Sequence, residues 1–238
     1  MIANGSENGT MRDRNAGPAD VGDLMRRILP SMSDLSAEQW DTRDESARRV
    51  LERDAARKQE ALRRHELEAL AENGLSVRHV NLVAGGSVQE TAATRAIATI
   101  HMGIVVLAGG VGCGKTTAAH VWLLPLGQPL EPHRVAFVSA QEFARTSRYE
   151  GKIERLRAPD RLVIDDLGAE YMDERGSALV DLDELIDARW RAGRGTLLTT
   201  NLTAQSFKRR YGARLASRIR DEGGWHQVDG PDLRGRRQ

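Results

Sequence analysis

The sequence predicts an α/β protein built around a parallel sheet, and three observations predict it. From Leu75 onward, apolar blocks of four to six residues alternate with helix-patterned stretches, which is the signature of βαβ units. The first of these blocks, Ile104–Ala108, runs straight into the glycine-rich stretch GGVGCGKTT. A later block ends in two adjacent carboxylates, in RLVIDDLGAE.

Composition bounds the reading. The chain has 238 residues, 40% hydrophobic and 29% charged, enough for one sizeable domain and an appendage. Lys and Arg number 35 against 34 for Asp and Glu, a net charge of +1. Nothing global draws the chain to nucleic acid or to an acidic membrane, so such binding has to come from local patches. A single cysteine excludes an internal disulfide, and no apolar run approaches the length of a membrane span. A soluble, cytoplasmic protein with no membrane partner is expected.

Residues 1–33 are polar and lack aromatics, and they read as a disordered tail. Ser36 and Gln39 form a capping-box pattern that opens a long charged helix, closed by Asn73 and Gly74. Its apolar positions (Val50, Leu51, Ala55, Leu62, Leu67, Leu70) make a broken stripe, fitting either a solvated helix or an arm that binds a partner. The expected organisation is a tail over 1–33, a helical arm over 34–74 and a core over 75–238. Within the core, strands are expected at Ile104–Ala108, Arg134–Val138, Leu162–Ile164, Thr196–Thr200 and Trp225–Val228. Helices are expected at Thr116–Leu124, Ala140–Ser147, Ala178–Arg191 and Ala204–Tyr211.

The stretch from Gly109 to Thr117 fits the pattern G-x-x-x-x-G-K-[ST] of a phosphate-binding loop, and it sits where that loop must, between a strand and a helix. The glycines let backbone N–H groups turn inward toward phosphate oxygens, and the helix N-terminus adds partial positive charge. Gly109, Gly110, Val111, Gly112, Cys113, Gly114, Lys115, Thr116 and Thr117 are therefore the candidate nucleotide contacts. Lys115 supplies a point charge to the outer phosphates, and the Thr116 hydroxyl is a ligand for Mg²⁺. Cys113 reads as a small filler whose backbone does the binding.

A buried carboxylate needs a compensating partner. At the tip of a strand beside a phosphate loop, a metal and its ligands supply one. Asp165, directly after the apolar run, is the candidate metal ligand. Asp166, on the other side of the strand alternation, is the candidate for orienting and deprotonating a water. Asn201, at the end of the TTN stretch that closes the next strand, is placed to touch the outer phosphate or that water.

GGVGCGKTT, LVIDDLGAE, LLTTNL and YGARLASRI, in this order, resemble the AAA+ ATPases, and more narrowly the branch holding the DnaC-type helicase loaders and the IstB-type transposition ATPases. The Asp-Asp form of the acid strand points to this branch, and NGLSVRHV resembles its lead-in. The resemblance covers roughly residues 73–235. It implies a P-loop NTPase three-layer core with a parallel five-stranded sheet, of AAA+ type with the lid reduced or absent, behind a helical N-terminal arm. It implies ATP and Mg²⁺ as cofactors and Asn201 as the sensor residue. Arg218 matches the arginine finger, with Arg214 on the same helix face, and Arg234 stands in for a second sensor.

The basic stretch RTSRYEGKIERLR brings Arg145, Arg148 and Lys152 around the ring of Tyr149, a combination suited to single-stranded DNA or to a solvated surface. Lys208, Arg209, Arg210 and Tyr211 form a similar cluster. The leading expectation is a helicase loader, an ATPase of slow, assembly-dependent turnover. It would bind a replicative DNA helicase and single-stranded DNA as an ATP-dependent homo-oligomer. The alternatives are an ATPase assisting a transposase, and a nucleotide-dependent adaptor with negligible turnover.

Overall fold

The computed structural model describes residues 37–100, 102–124, 131–146, 152–170, 177–222 and 224–234. The expected tail, the capping residue Ser36, and Arg148 and Tyr149 lie outside the described residues, as does the side chain of Lys152.

The chain divides into two compact units, residues 1–59 and 60–238. Helix α1, Ala37–Glu72, begins in the first and ends in the second. In the first unit Val50 and Leu51 are exposed, and Arg48–Glu52 and Arg49–Glu45 pair one helical turn apart. Exposed pairs of this kind add only a few tenths of a kcal/mol each, roughly 0.3–0.5. Further along the same helix, Leu67 and Leu70 join the core of the second unit, so that core begins before Leu75.

In the second unit follow α2 (Val77–Ala84), α3 (Ala92–Ile97), β1 (Ile104–Ala108), α4 (Lys115–Leu123), β2 (Val135–Ser139), α5 (Ala140–Thr146), α6 (Lys152–Arg157), β3 (Arg161–Leu167), α7 (Ser177–Arg191), β4 (Gly195–Thr200), α8 (Ala204–Glu222) and β5 (Gly224–Gln227). All five strands are parallel, in the order β2-β3-β4-β1-β5. This is the expected three-layer core. The inner strands β1 and β3 are apolar on both faces because helices cover both, whereas the edge strand β5 is only partly buried. Val105, Leu107, Val163 and Leu197 pack with α2, α3 and α4 on one face. Ile104, Val106, Leu162, Ile164 and Leu198 pack with α5, α7 and α8 on the other. The two-residue side-chain period of a strand sorts neighbouring residues into these two cores.

The expected strands and helices all form, with shifts of one to three residues at their ends. The exception is α8, which continues past Tyr211 to Glu222 through a non-helical Gly212 (φ 91°, ψ 166°). Glycine reaches that conformation at little cost, and two helical segments abut there. The sequence pattern does not announce the short helices α2, α3 and α6.

The end of α1 is welded to the sheet. Gly74 takes φ +86°, and its N–H donates to the Ala71 carbonyl at 2.9 Å while the Leu75 N–H donates to Leu70 at 3.0 Å. This is a Schellman closure, with Leu70 and Leu75 both buried in one cluster. Phe137 of β2 then donates its N–H to the Asn73 carbonyl at 2.9 Å. A Cβ on Gly74 would lie 1.9 Å from the Phe137 carbonyl oxygen. Gly74→Ala is therefore expected to destabilise the fold by about 1–3 kcal/mol, read as a lower midpoint in urea unfolding with an unchanged slope.

Candidate active site

The strand order decides what meets what. β4 lies between β1 and β3, so the phosphate loop after β1, the acids at the end of β3 and the tip of β4 converge on one edge of the sheet. Open parallel sheets bind ligands outside the carboxyl ends of their strands.

The loop enters α4 through Gly114, whose φ of +94° only glycine adopts readily. The Lys115 ammonium is nearly buried and donates to the carbonyls of Gly109 (2.9 Å) and Gly110 (2.7 Å) and to Asn201 Oδ1 (2.8 Å). Asn201 turns its Nδ2 to Asp166 Oδ1 at 2.9 Å. The Asp166 N–H donates to Thr199 Oγ1 at 2.8 Å. Thr199 in turn donates to Asp165 Oδ1 at 2.6 Å, and Thr116 donates to Asp165 Oδ2 at 3.0 Å. One chain of hydrogen bonds thus links Lys115 to Thr116 through Asn201, Asp166, Thr199 and Asp165. Asp165 is buried and held by two hydroxyls, an arrangement that fits its expected place.

Asp165 is buried and Asp166 exposed, on opposite sides, but the backbone at Asp166 is not that of a regular strand. The β3–β4 ladder steps from Ile164↔Leu198 to Leu167↔Thr200, so β3 carries one extra residue there. Asp166 sits in that bulge with φ +62° and is exposed. Bulges re-aim side chains beside active sites, and this one points a carboxylate out of the sheet.

These groups line a cleft of about 610 Å³, within the usual range for a small-molecule site. Val111, Gly112, Gly114, Lys115, Thr116, Thr117, Asp165, Asp166, Asn201 and Arg234 line it. Gly109 and Gly110 act through the carbonyls that hold Lys115. Cys113 is buried against the core, as a filler should be. Thr199, Leu233, Arg78 and His79 also line the cleft and were not read from the sequence. Thr199 carried a signal, its place in TTN. For Arg78 and His79 the signal was only their place in the lead-in stretch. Arg234 arrives on a strap that crosses the loop, with Val228 donating to Ala108 at 2.7 Å and Leu233 to Gly112 at 3.1 Å.

Arg214 and Arg218 stand apart from this cleft, on α8. Arg218 is largely buried, pairs with Asp183 at 3.0 Å and with Asp187, and lies over the Trp190 ring. Arg214 reaches the same Asp183 at 3.1 Å but is 66% exposed. Arg145 is exposed at the end of α5. The expected basic cluster at 208–211 divides: Lys208 and Arg209 are exposed, whereas Arg210 and Tyr211 are committed to Glu170, at 3.0 and 2.5 Å.

Beneath the loop, His120 of α4 is fully buried. Its Nε2 accepts from the Ser76 N–H at 3.2 Å, so Nδ1 carries the proton and donates to the Thr116 carbonyl at 2.8 Å. Burial pushes its pKa down to about 4, against a smaller opposite effect of the Thr116 carbonyl. The neighbouring His79, stacked at 4.4 Å, is also lowered by burial. The native state then binds fewer protons than the unfolded chain between pH 6.5 and about 4. Stability is complete above pH 6.5 and falls as pH drops through that window, by about 2–3 kcal/mol for His120. Urea unfolding at stepped pH measures it, and His120→Gln should flatten the slope.

The fold and the cleft define a P-loop NTPase-like α/β core. No protein-family model and no curated protein matches the chain. Solved structures similar to it include AMPPCP-bound DnaA from Aquifex aeolicus (18% identity, TM-score 0.46), matched over 57% of this chain and 43% of that one. The DnaC helicase loader is similar at 17% identity and TM-score 0.46, over 57% of this chain and 85% of that one. DnaI is similar at 22% identity and TM-score 0.44, over 60% and 81%. The chain thus spans less than half the length of that DnaA. Among the described residues no helix is long and apolar enough to cross a membrane.

Proposed function

We propose that the chain is an ATP-binding and ATP-hydrolysing member of the AAA+ class, acting as a DnaC-like helicase loader. The observation that carries the enzymatic part is the hydrogen-bonded chain from Lys115 through Asn201, Asp166, Thr199 and Asp165 to Thr116 at the mouth of one cleft.

The chemistry follows from these groups. A bound triphosphate would draw Lys115 away from the Gly109 and Gly110 carbonyls, exchanging neutral acceptors for charged ones. Backbone N–H groups of the loop and the start of α4 would take the remaining oxygens. The Thr116 hydroxyl and the Asp165 carboxylate, 3.0 Å apart, are both hard oxygen donors and fit Mg²⁺. When bound, that ion would neutralise charge on the outer phosphates. Asp166, exposed at the bulge, is placed to accept a proton from an attacking water. Asn201 holds Asp166 on one side and Lys115 on the other, so it would report to the acid whether the lysine has moved to phosphate. Arg218 and Arg214 are proposed to complete the site of a neighbouring copy. Arg218 would have to leave Asp183 and Asp187 to do so, whereas Arg214 already extends into solvent.

The loader reading adds a partner and DNA. The helix over residues 37–59 displays Val50 and Leu51 to solvent, a surface suited to a replicative helicase. Arg145, with the proposed contacts Arg148, Tyr149 and Lys152, would serve single-stranded DNA.

Three outcomes test this. Lys115→Ala should abolish ATP binding, measured with a fluorescent analogue, while leaving the fold intact. Asp166→Asn should bind ATP normally and lose turnover by about 10²-fold or more. Turnover per chain should rise with protein concentration, and Arg214→Ala or Arg218→Ala should cut it by about 10³-fold at unchanged affinity. For the partner, the full chain with ATP should capture the replicative helicase of its own cell, and the Val50→Asp, Leu51→Asp double variant should not. A chain that ignores the helicase but compacts duplex DNA with ATP is instead the transposition ATPase.

A further inference from the structure

We infer that Glu170 is the positioning residue of Asp166, an inference that rests on the reading of Asp166 as the group that acts on water. Asp166 is the one non-glycine residue with positive φ among the described residues, at +62°. Most residues with a Cβ avoid that left-handed conformation and Asp tolerates it better, so the contacts around it decide how firmly it is held. The polypeptide that follows is a tight turn. Ala169 donates its N–H to the Asp166 carbonyl at 3.1 Å, and Gly168 takes φ +106°.

Thr199 accepts from the Asp166 N–H at 2.8 Å and Thr200 donates to the Leu167 carbonyl at 2.6 Å on the β4 side, and one carboxylate ties the turn to α8. Glu170 is 7% exposed. Its Oε2 accepts from the Gly168 N–H at 2.7 Å, inside the turn. Its Oε1 accepts from Tyr211 at 2.5 Å and from Arg210 Nε at 3.1 Å, both on α8, and Arg210 also donates to the Glu170 carbonyl at 2.7 Å. Burial and the bond to Glu170 keep the Tyr211 phenol protonated, pushing its pKa well up. A single carboxylate therefore joins the turn that carries the acid to the first segment of α8. Without it only the Arg210 bond to the residue-170 carbonyl ties the turn to α8, and the left-handed backbone at Asp166 keeps its Thr199 bond but loses the restraint from the turn side. A displacement of about 1 Å at a catalytic group costs on the order of 10²-fold in rate.

Glu170→Gln keeps the size but not the charge, and its amide cannot accept on both sides. It is expected to lower kcat at least tenfold with the affinity for an ATP analogue within twofold of wild type. The deciding comparison is the same substitution in the Asp166→Asn background. A positioning role through Asp166 predicts no further loss there, because residues acting as one unit are not additive. An equal loss in both backgrounds, or an unchanged kcat in the single variant, overturns the inference. Tyr211→Phe removes only one hydroxyl and should give a smaller loss with the same non-additivity, so the test survives if Glu170→Gln fails to fold. If Asp166→Asn itself turns over like wild type, the reading of Asp166 falls and the positioning role falls with it. If Asp166→Asn is slow and Glu170→Gln is not, only the positioning role falls.

Discussion

The placement of β4 between β1 and β3 is the constraint on which the site depends. Without that insertion the phosphate loop and the acid strand would be direct neighbours, and no polar strand tip would lie between them. With it, the Thr199 hydroxyl reaches Asp165 at 2.6 Å and accepts from the backbone of Asp166 at 2.8 Å, so one side chain holds both acids. Two hydroxyls, of Thr199 and Thr116, replace the water that the buried Asp165 carboxylate has lost. Everything else at the cleft is arranged around that pair.

The sheet has two differently built ends. At the carboxyl ends the polar groups converge on a cleft open to solvent. At the opposite end the buried guanidinium of Arg189 donates to the carbonyls of Leu156, Pro159 and Gly195 and to the Thr196 hydroxyl. Burial pushes its pKa down to about 10, still well above neutrality, so it remains a cation, with no carboxylate partner among the described residues. It clamps the starts of β3 and β4 from α7, while their far ends shift register at the bulge that carries Asp166. The helix α8 connects two further networks, Arg210 and Tyr211 with Glu170 before Gly212, and Arg214 and Arg218 with Asp183 and Asp187 after it. The non-helical Gly212 lies between them, so each network is anchored on its own helical segment.

Much of the fold was legible in linear order because apolar blocks and glycines are local signals. Five strands and four principal helices appear where the periodicity put them. The misses are also physical. The short helices α2 and α3 were missed although the similarly short α5 was found, and α2 supplies two residues of the cleft. The glycine-rich loop was readable as a pattern, since its residue types and spacing suit an anion. The roles of Thr199 and Glu170 were not, because a threonine in a strand and a glutamate in a turn are ordinary until their partners are known. The cluster at 208–211 looked like one basic patch, and only the Glu170 carboxylate separates Arg210 and Tyr211 from Lys208 and Arg209.

The sequence by itself determined the α/β class, the phosphate loop with Lys115 and Thr116, and the presence of two acids and an asparagine at strand ends, because each follows from short-range pattern and residue chemistry. The tertiary structure decided the strand order, the bulge that turns Asp166 outward, the neutral buried His120, the capture of Arg218 by Asp183 and Asp187, and the tie from Glu170 to α8. Those features depend on contacts between residues some 30 to 90 positions apart, such as Lys115 with Asn201 and Glu170 with Tyr211. Local pattern carries no record of such distant pairings, whereas sheet order and helix packing create them.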